Sequence, residues 1–228
     1  MHEFLILAPK KVKTMQKIER LTVKKTAHYH TLGKLNPQTK HIYLALHGYG
    51  QDASRLPQKF AELPHTFVIA PEALSSFYCK ASSGQIGHSW MTKNHREDEI
   101  KDYLAYLDQL YAHLLPKFPP QAKFHLLGFS QGGATALRWA LHRQPQRLNK
   151  LIIWAADAPP ELDVQNKFLT QIQFHWVCGQ QDAYFPKERL EQQIAFWKNL
   201  PQPPHIQLFD GPHRINKMVL KAIHEDND

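Results

Sequence analysis

Several short stretches of the sequence carry residue types that together could perform acyl transfer. The first places a serine between two glycines, in Gly128-Phe129-Ser130-Gln131-Gly132, after an apolar run that begins at Lys123 and before a run of small residues. Glycines on both sides of the serine let a strand turn directly into a helix, and that turn holds the serine exposed in a strained conformation. The pattern predicts a nucleophile elbow with Ser130 at its apex.

A serine nucleophile needs a base that takes its proton and an acid that orients the base. In sheets with this elbow the three residues follow the chain order serine, acid, histidine. Of the histidines after Ser130, His213 follows a strand end and a Gly-Pro turn, and we therefore expect it to be the base. Two acids fit the order, Asp157 after the first strand beyond the elbow and Asp182 after the second. Both remain open at this point.

A second glycine-rich turn predicts the groups that would stabilise a tetrahedral oxyanion. His47-Gly48-Tyr49-Gly50 follows the apolar strand from His41 to Leu46, and its glycines let the backbone bring an N–H group inward. We expect the backbone N–H groups of Tyr49 and Gln131 to form the oxyanion hole, because Gln131 begins the helix after the serine. The alternative is a plain loop between a strand and a helix.

These turns require a sheet that brings them to one edge. Strands alternate with helices over most of the chain, which predicts an α/β fold with a mostly parallel sheet covered by helices on both faces. Early antiparallel strands are predicted at about residues 18–33, a helix at about Ser54 to Leu63, and a long helix from Asn94. The irregular stretch 72–94 could form a wall or partial lid, or Trp90 could simply anchor it to the core.

Length and composition agree with a single α/β domain over residues 1–228. The net charge is +8, but the basic residues are scattered, which favours a solvated basic face over a nucleic-acid surface. The two cysteines, Cys79 and Cys178, favour neither a disulfide framework nor a zinc knuckle. The apolar run from Phe4 to Ala8 is too short for a signal peptide, and no run is long enough to span a membrane, so we expect a cytoplasmic protein.

One further pair of residues could bind a metal. His28 and His30 would point to the same face of a strand, as two metal ligands do. No further ligand follows at close spacing, and metal binding is therefore not favoured.

The motifs resemble those of the phospholipase/carboxylesterase family of small α/β-hydrolases, which includes bacterial carboxylesterases and acyl-protein thioesterases. The matching strings, in order along the chain, are Leu46-His47-Gly48-Tyr49-Gly50, Gly128-Phe129-Ser130-Gln131-Gly132-Gly133-Ala134, Gly179-Gln180-Gln181-Asp182 and Gly211-Pro212-His213. The resemblance implies the α/β-hydrolase fold, and it favours Asp182 as the acid. It also implies hydrolysis of carboxylic esters or thioesters with no metal or organic cofactor. We expect no large inserted lid domain, which suggests an open pocket that favours short acyl chains or small esters. The chain departs from the family at Pro212 and Arg214 on either side of the histidine.

The sequence therefore predicts a serine carboxylesterase with the triad Ser130, Asp182 and His213, acting on a small-molecule ester through an acyl-enzyme. An acyl-protein thioesterase or lysophospholipase would need the same residues and stays an alternative. A second alternative is a non-catalytic binding protein that keeps the fold. No nucleic-acid partner is expected, and the oligomeric state is left open, with a homodimer as one option.

Overall fold

The computed structural model of the chain describes residues 17–163 and 165–226. The strands in this part of the chain are β1 (Tyr29–Leu32), β2 (His41–Leu46), β3 (Thr66–Pro71), β4 (Ser75–Lys80), β5 (Gln85–Ser89), β6 (Lys123–Phe129), β7 (Leu148–Trp154), β8 (Gln173–Gly179) and β9 (His205–Phe209). The α-helices are α1 (Arg96–Leu114), α2 (Gln131–Arg143), α3 (Lys187–Lys198) and α4 (Lys217–Glu225). Short 3₁₀ turns lie at Ala53–Arg55, Pro57–Phe60, Ala81–Ser83, Leu115–Lys117 and Lys167–Gln171.

Within the described residues a central seven-stranded sheet has the order β1-β3-β2-β6-β7-β8-β9. All its neighbouring strands are parallel except β1, which pairs antiparallel with β3. The predicted fold class, a mostly parallel sheet with helices, is thus confirmed. Since the carboxyl ends of parallel strands meet at one edge, the turns after β2, β6, β8 and β9 share that edge.

The central strands are apolar because they are buried on both faces of the sheet. Every residue of β2 is buried, and so is every residue of β6 except its first. Four tryptophans contribute the largest fully buried side chains, namely Trp139, Trp154, Trp176 and Trp197. A buried parallel sheet of this kind fixes the strand ends, and with them the turns that carry polar residues.

Several predicted elements differ from the structure. Only β1 forms in the region of the early strands, because Ile18, Leu21 and Val23 are 70%, 88% and 73% exposed and find no partner strand among the described residues. The helix expected from Ser54 to Leu63 is two short 3₁₀ turns instead. The run from Phe4 to Ala8 lies outside the described residues.

The stretch 72–94 is not irregular, since β4 and β5 pair as an antiparallel hairpin with its own two-stranded sheet. The long helix begins two residues later than predicted, at Arg96. Its N-cap is His95 in the left-handed conformation, and no side-chain hydrogen bond caps it.

Candidate active site

The chain reverses sharply at Ser130, between β6 and α2. The backbone of Ser130 has φ 53° and ψ −122°, a conformation that costs energy in any residue with a side chain. A Cβ atom at Gly128 would lie 2.1 Å from the carbonyl oxygen of Gly132, so a side chain at position 128 would collide with the first turn of α2. The sequence therefore folds into the elbow that its glycines predict.

The elbow also packs tightly against the end of β2. A Cβ atom at Gly132 would lie 2.3 Å from the carbonyl oxygen of Leu46, and one at Gly48 would lie 3.1 Å from the Ser130 Cβ atom. The turn that follows β2, residues 48–51, is therefore a direct neighbour of Ser130. We call this segment the oxyanion loop.

His213 and Asp182 are joined by a short hydrogen bond. The His213 Nδ1–H group donates to Asp182 Oδ2 at 2.6 Å, and Asp182 is 2% exposed. The other carboxylate oxygen, Asp182 Oδ1, accepts the backbone N–H of Tyr184 at 2.9 Å. With Nδ1 committed as a donor, the lone pair of the neutral imidazole lies on Nε2, which is the atom a general base uses.

The second candidate acid, Asp157, makes its contacts away from His213. Its Oδ2 atom forms an ion pair with Arg189, and its Oδ1 atom is buried without a hydrogen-bond partner in the described part of the chain. The geometry thus pairs His213 with Asp182, not with Asp157.

The Ser130 hydroxyl makes no hydrogen bond to His213 in the described residues, so the expected contact between nucleophile and base is not formed. The imidazole nevertheless packs beside the elbow, because its ring centroid lies 4.7 Å from that of Phe129, the residue before Ser130. Hydrogen bonds between nucleophile and base are often long before substrate binds and then shorten.

Two backbone N–H groups near Ser130 are left without acceptors. Among the described residues, none accepts a hydrogen bond from the amide of Tyr49 or from that of Gln131. The neighbouring amide of Gly48 is already taken, since it donates to Gln51 Oε1 at 2.9 Å. Two unpaired donors, one of them at the positive end of α2, form a site that can bind a developing negative charge.

His47 stabilises the oxyanion loop through its two ring nitrogens. Its Nδ1–H group donates to the carbonyl of Gly48 at 2.7 Å, and its Nε2 atom accepts the backbone N–H of Ala73 at 3.1 Å. An imidazole that donates at one nitrogen and accepts at the other is neutral. Burial supports this state, because it lowers the pKa of His47 from 6.5 to about 4.

The β4–β5 hairpin pairs with the oxyanion loop as if the loop were a third strand. The amide of Gly50 donates to the carbonyl of His88 at 2.9 Å, and the amide of His88 donates to the carbonyl of Gln51 at 3.2 Å. Gly87 permits this approach, since a Cβ atom there would lie 2.3 Å from the Gly50 carbonyl oxygen. The Cys79 thiol contacts the same oxygen at 3.3 Å.

Trp90 anchors the end of this hairpin to the core. It is 3% exposed, its indole N–H donates to the carbonyl of His47 at 2.9 Å, and its backbone amide donates to Gln131 Oε1 at 2.9 Å. The Gln131 side chain in turn donates to the carbonyl of Met91 at 2.7 Å. Trp90 therefore anchors the stretch 72–94 to the core, as one of its two interpretations proposed. The hairpin in the same stretch packs beside the oxyanion loop.

Several contacts of the site were not predicted from the sequence, namely those made by His47, Gln51, Cys79, Gly87 and Tyr184. Their roles arise from contacts between distant segments, which residue type and spacing do not encode. The sequence signal for the hairpin is weak, because Phe77 and Tyr78 favour a strand before the turn that contains Gly84, whereas Ile86 alone does so after it.

The structure brings His28 and His30 to a carboxylate. His30 Nε2 lies 2.9 Å from Glu72 Oε1, while His28 Nδ1 and His88 Nε2 lie 3.6 and 3.4 Å from Glu72 Oε2. No group of three or more His, Cys, Asp or Glu side chains within residues 17–163 and 165–226 could hold a metal ion. The histidine pair therefore serves here as a partner of Glu72.

Comparison with known proteins supplies the family. The model of the phospholipase/carboxylesterase family matches residues 27–225. No curated protein matches the sequence. None of the helices in the described part of the chain is long and apolar enough to cross a membrane.

Solved structures with the same fold include a Zea mays acyl-protein thioesterase 2, which is 17% identical with a TM-score of 0.64, over 88% of this chain and 97% of that one. A Bacillus cereus carboxylesterase is 14% identical with a TM-score of 0.64, over 87% and 92% of the two chains. A phospholipase/carboxylesterase from Dyadobacter fermentans is 19% identical with a TM-score of 0.61, over 89% and 98%. At these identities the likeness establishes the fold alone.

Proposed function

The chain belongs to the phospholipase/carboxylesterase family, which supports a hydrolase of esters or thioesters, and on that premise we propose that it is a serine carboxylesterase. Ser130 is the nucleophile, His213 the general base and Asp182 the residue that orients His213. The observation that carries the proposal is the hydrogen bond from His213 Nδ1 to Asp182, which leaves Nε2 available to take a proton.

The reaction has two halves. In the first, Ser130 Oγ attacks the acyl carbonyl carbon while its proton moves to His213 Nε2, and Asp182 stabilises the imidazolium that forms. The carbonyl oxygen becomes an oxyanion, which accepts hydrogen bonds from the amides of Tyr49 and Gln131. The tetrahedral intermediate collapses, His213 protonates the leaving alcohol, and an acyl ester remains on Ser130.

In the second half, water takes the place of the alcohol. His213 accepts a proton from the water, whose oxygen attacks the acyl carbonyl, and the same two amides stabilise the second oxyanion. Collapse returns the proton to Ser130 Oγ and releases the carboxylic acid.

The test is labelling with a fluorophosphonate probe, together with hydrolysis of p-nitrophenyl acetate, butyrate and octanoate. We expect the protein to be labelled and active, and we expect Ser130→Ala to lose both properties. Ser82→Ala is a matched control, because Ser82 is an exposed serine in the turn of the hairpin and should behave as the unmodified protein does. An unlabelled protein, or an active Ser130→Ala variant, would refute the proposal.

A second pair of substrates, an ester and a thioester of the same acyl group, separates the ester from the thioester alternative. Both reactions use the same nucleophile, so only the ratio of kcat/KM for an ester and a thioester with identical acyl groups distinguishes them. A carboxylesterase should favour the ester of such a pair. A higher kcat/KM for the thioester would instead identify the protein as a thioesterase.

A further inference from the structure

Tyr184 exposes its ring, while two hydrogen bonds hold its backbone. Its side chain is 66% exposed. Its backbone N–H donates to Asp182 Oδ1 at 2.9 Å, and its carbonyl accepts a hydrogen bond from Arg189 Nη1 at 3.0 Å. The ring centroid lies 4.7 Å from that of His213, at an interplanar angle of 60°. An uncovered aromatic ring that already packs against a neighbour loses less entropy when a ligand binds to it.

The proposed reaction decides which part of a substrate lies beside this ring. His213 gives its proton to the leaving oxygen, so that oxygen must come within hydrogen-bond distance of the imidazole, roughly 3 Å. The first carbon atoms of the alcohol portion then lie next to the imidazole. Tyr184 contacts the same imidazole, and its ring is therefore a neighbour of the alcohol portion.

The other aromatic neighbour of His213 is not open to substrate. Phe129 lies at the same centroid distance of 4.7 Å from His213, but it is only 3% exposed and belongs to the core. The nearby Arg189 is engaged as well, since it forms an ion pair with Asp157 and lies over the ring of Phe185. Of these groups, only Tyr184 offers an uncovered aromatic ring.

We propose that Tyr184 stacks on the alcohol portion of the ester, so that the preferred substrates are esters of aromatic alcohols. This inference rests on the proposed function, since it places the leaving group by the role of His213. Aromatic pairs with centroids about 4.5–7 Å apart gain more than their buried area accounts for. We expect a gain of about ten-fold in kcat/KM, expressed mainly in KM because a stack made in both ground and transition states is uniform binding.

The test compares benzyl acetate with cyclohexylmethyl acetate, which share the acetyl group and a primary alcohol of seven carbon atoms but differ in aromaticity. The protein should favour benzyl acetate by about ten-fold in kcat/KM. Tyr184→Phe should keep this ratio and Tyr184→Leu should bring it close to one. Since both esters are measured on the same variant, any effect of the substitution on the chemical step cancels in the ratio. Tyr78→Leu is the matched control, because Tyr78 is 67% exposed on the hairpin.

The outcomes separate the two proposals. If the protein hydrolyses neither ester nor p-nitrophenyl acetate, the proposed function fails. If it hydrolyses both esters equally well, or if Tyr184→Leu keeps the preference for benzyl acetate, only the present inference is overturned. Should Tyr184→Leu fail to fold, inhibition of the unmodified protein decides the matter. Benzyl alcohol should then inhibit about ten-fold more strongly than cyclohexylmethanol, and equal inhibition would overturn the inference.

Discussion

Substitution of Gly128 by alanine should test the elbow more sharply than substitution of the serine itself. The added Cβ atom would lie 2.1 Å from the Gly132 carbonyl oxygen and 2.6 Å from the Gly133 Cα atom. Ordinary contacts begin near 3.4 Å, so the first turn of α2 would have to move by about 1.3 Å. Because both opposing groups are backbone atoms, no side-chain rotation can relieve the collision.

The expected cost follows from that geometry. Overpacking by single groups typically costs about 1–3 kcal/mol, and a collision with backbone atoms of the first turn of α2 should reach at least about 3 kcal/mol. For a chain of this size, each 1 kcal/mol lowers Tm by roughly 2–4 °C, which gives a decrease of roughly 6–12 °C. The same shift would move Ser130 by about 1 Å, and misplacement of that size costs about 100-fold in rate.

Thermal unfolding followed by circular dichroism, together with kcat for p-nitrophenyl acetate, measures both effects. Gly84→Ala is the control, because Gly84 has φ +63° and no atom within 4 Å of an added Cβ. That variant should lose only about 1–2 kcal/mol through left-handed strain and should keep its activity. If Gly128→Ala has a Tm equal to or above that of Gly84→Ala, the close approach is not what specifies glycine at this turn.

Three further predictions test other parts of the site and fold. Asp182→Asn should lower kcat about 10⁴-fold with little change in Tm, whereas Asp157→Asn should change kcat less than about ten-fold; comparable losses in steady-state kinetics would reverse the assignment. Burial lowers the pKa of His175 to about 4, so the unfolded state binds the extra proton below pH 6.5. Urea unfolding should show about 3 kcal/mol less stability at pH 4 than at pH 7 from this group, a part of the slope that His175→Phe should remove. N-ethylmaleimide should modify exposed Cys79, but not Cys178, whose pKa burial raises to about 12. Because the Cys79 thiol contacts the Gly50 carbonyl, the modification should lower kcat at least about ten-fold. Mass spectrometry that shows modified Cys79 while kcat is unchanged would contradict this.

The sequence predicted the elements whose geometry depends on local residue types. Gly128 and Gly132 mark the elbow because no other residue fits so close to backbone, and the apolar runs before positions 47 and 130 are the fully buried strands. The order of serine, acid and histidine along the chain led to His213 but left Asp157 and Asp182 open, and the family resemblance favoured Asp182, which the structure joins to His213 by a hydrogen bond. Their catalytic roles remain a prediction.

The sequence-based predictions were wrong where the structure of a segment depends on which other segments it contacts. The alternating pattern from Ile18 onward is typical of strands, yet residues 17–28 contact the rest of the chain through other groups. Arg20 donates to Asp98 at 2.8 Å, and Lys25 donates to the carbonyl of Leu74. Alternation gives a segment the capacity to pair, but it does not supply a neighbouring strand.

The start of α1 illustrates the same limit at shorter range. Asn94 followed by Glu97 is the pattern of a capping box, but the helix begins at Arg96 without a side-chain cap. Thr92 donates its backbone N–H to Glu99 instead, and this contact draws the preceding loop onto the helix. A capping pattern competes with every other acceptor in reach, and the sequence does not rank them.

The hairpin joins the oxyanion loop through main-chain atoms, and this makes it a natural target for directed evolution. The bonds from Gly50 and His88 join main-chain atoms, so replacing the side chain of Phe77 or Ile86 should leave the amide of Tyr49 in place. Phe77 and Ile86 stand half-buried or exposed on this hairpin, outside the central sheet. Libraries randomised at these two positions should therefore yield folded variants with altered substrate range, provided that Gly87 is left unchanged.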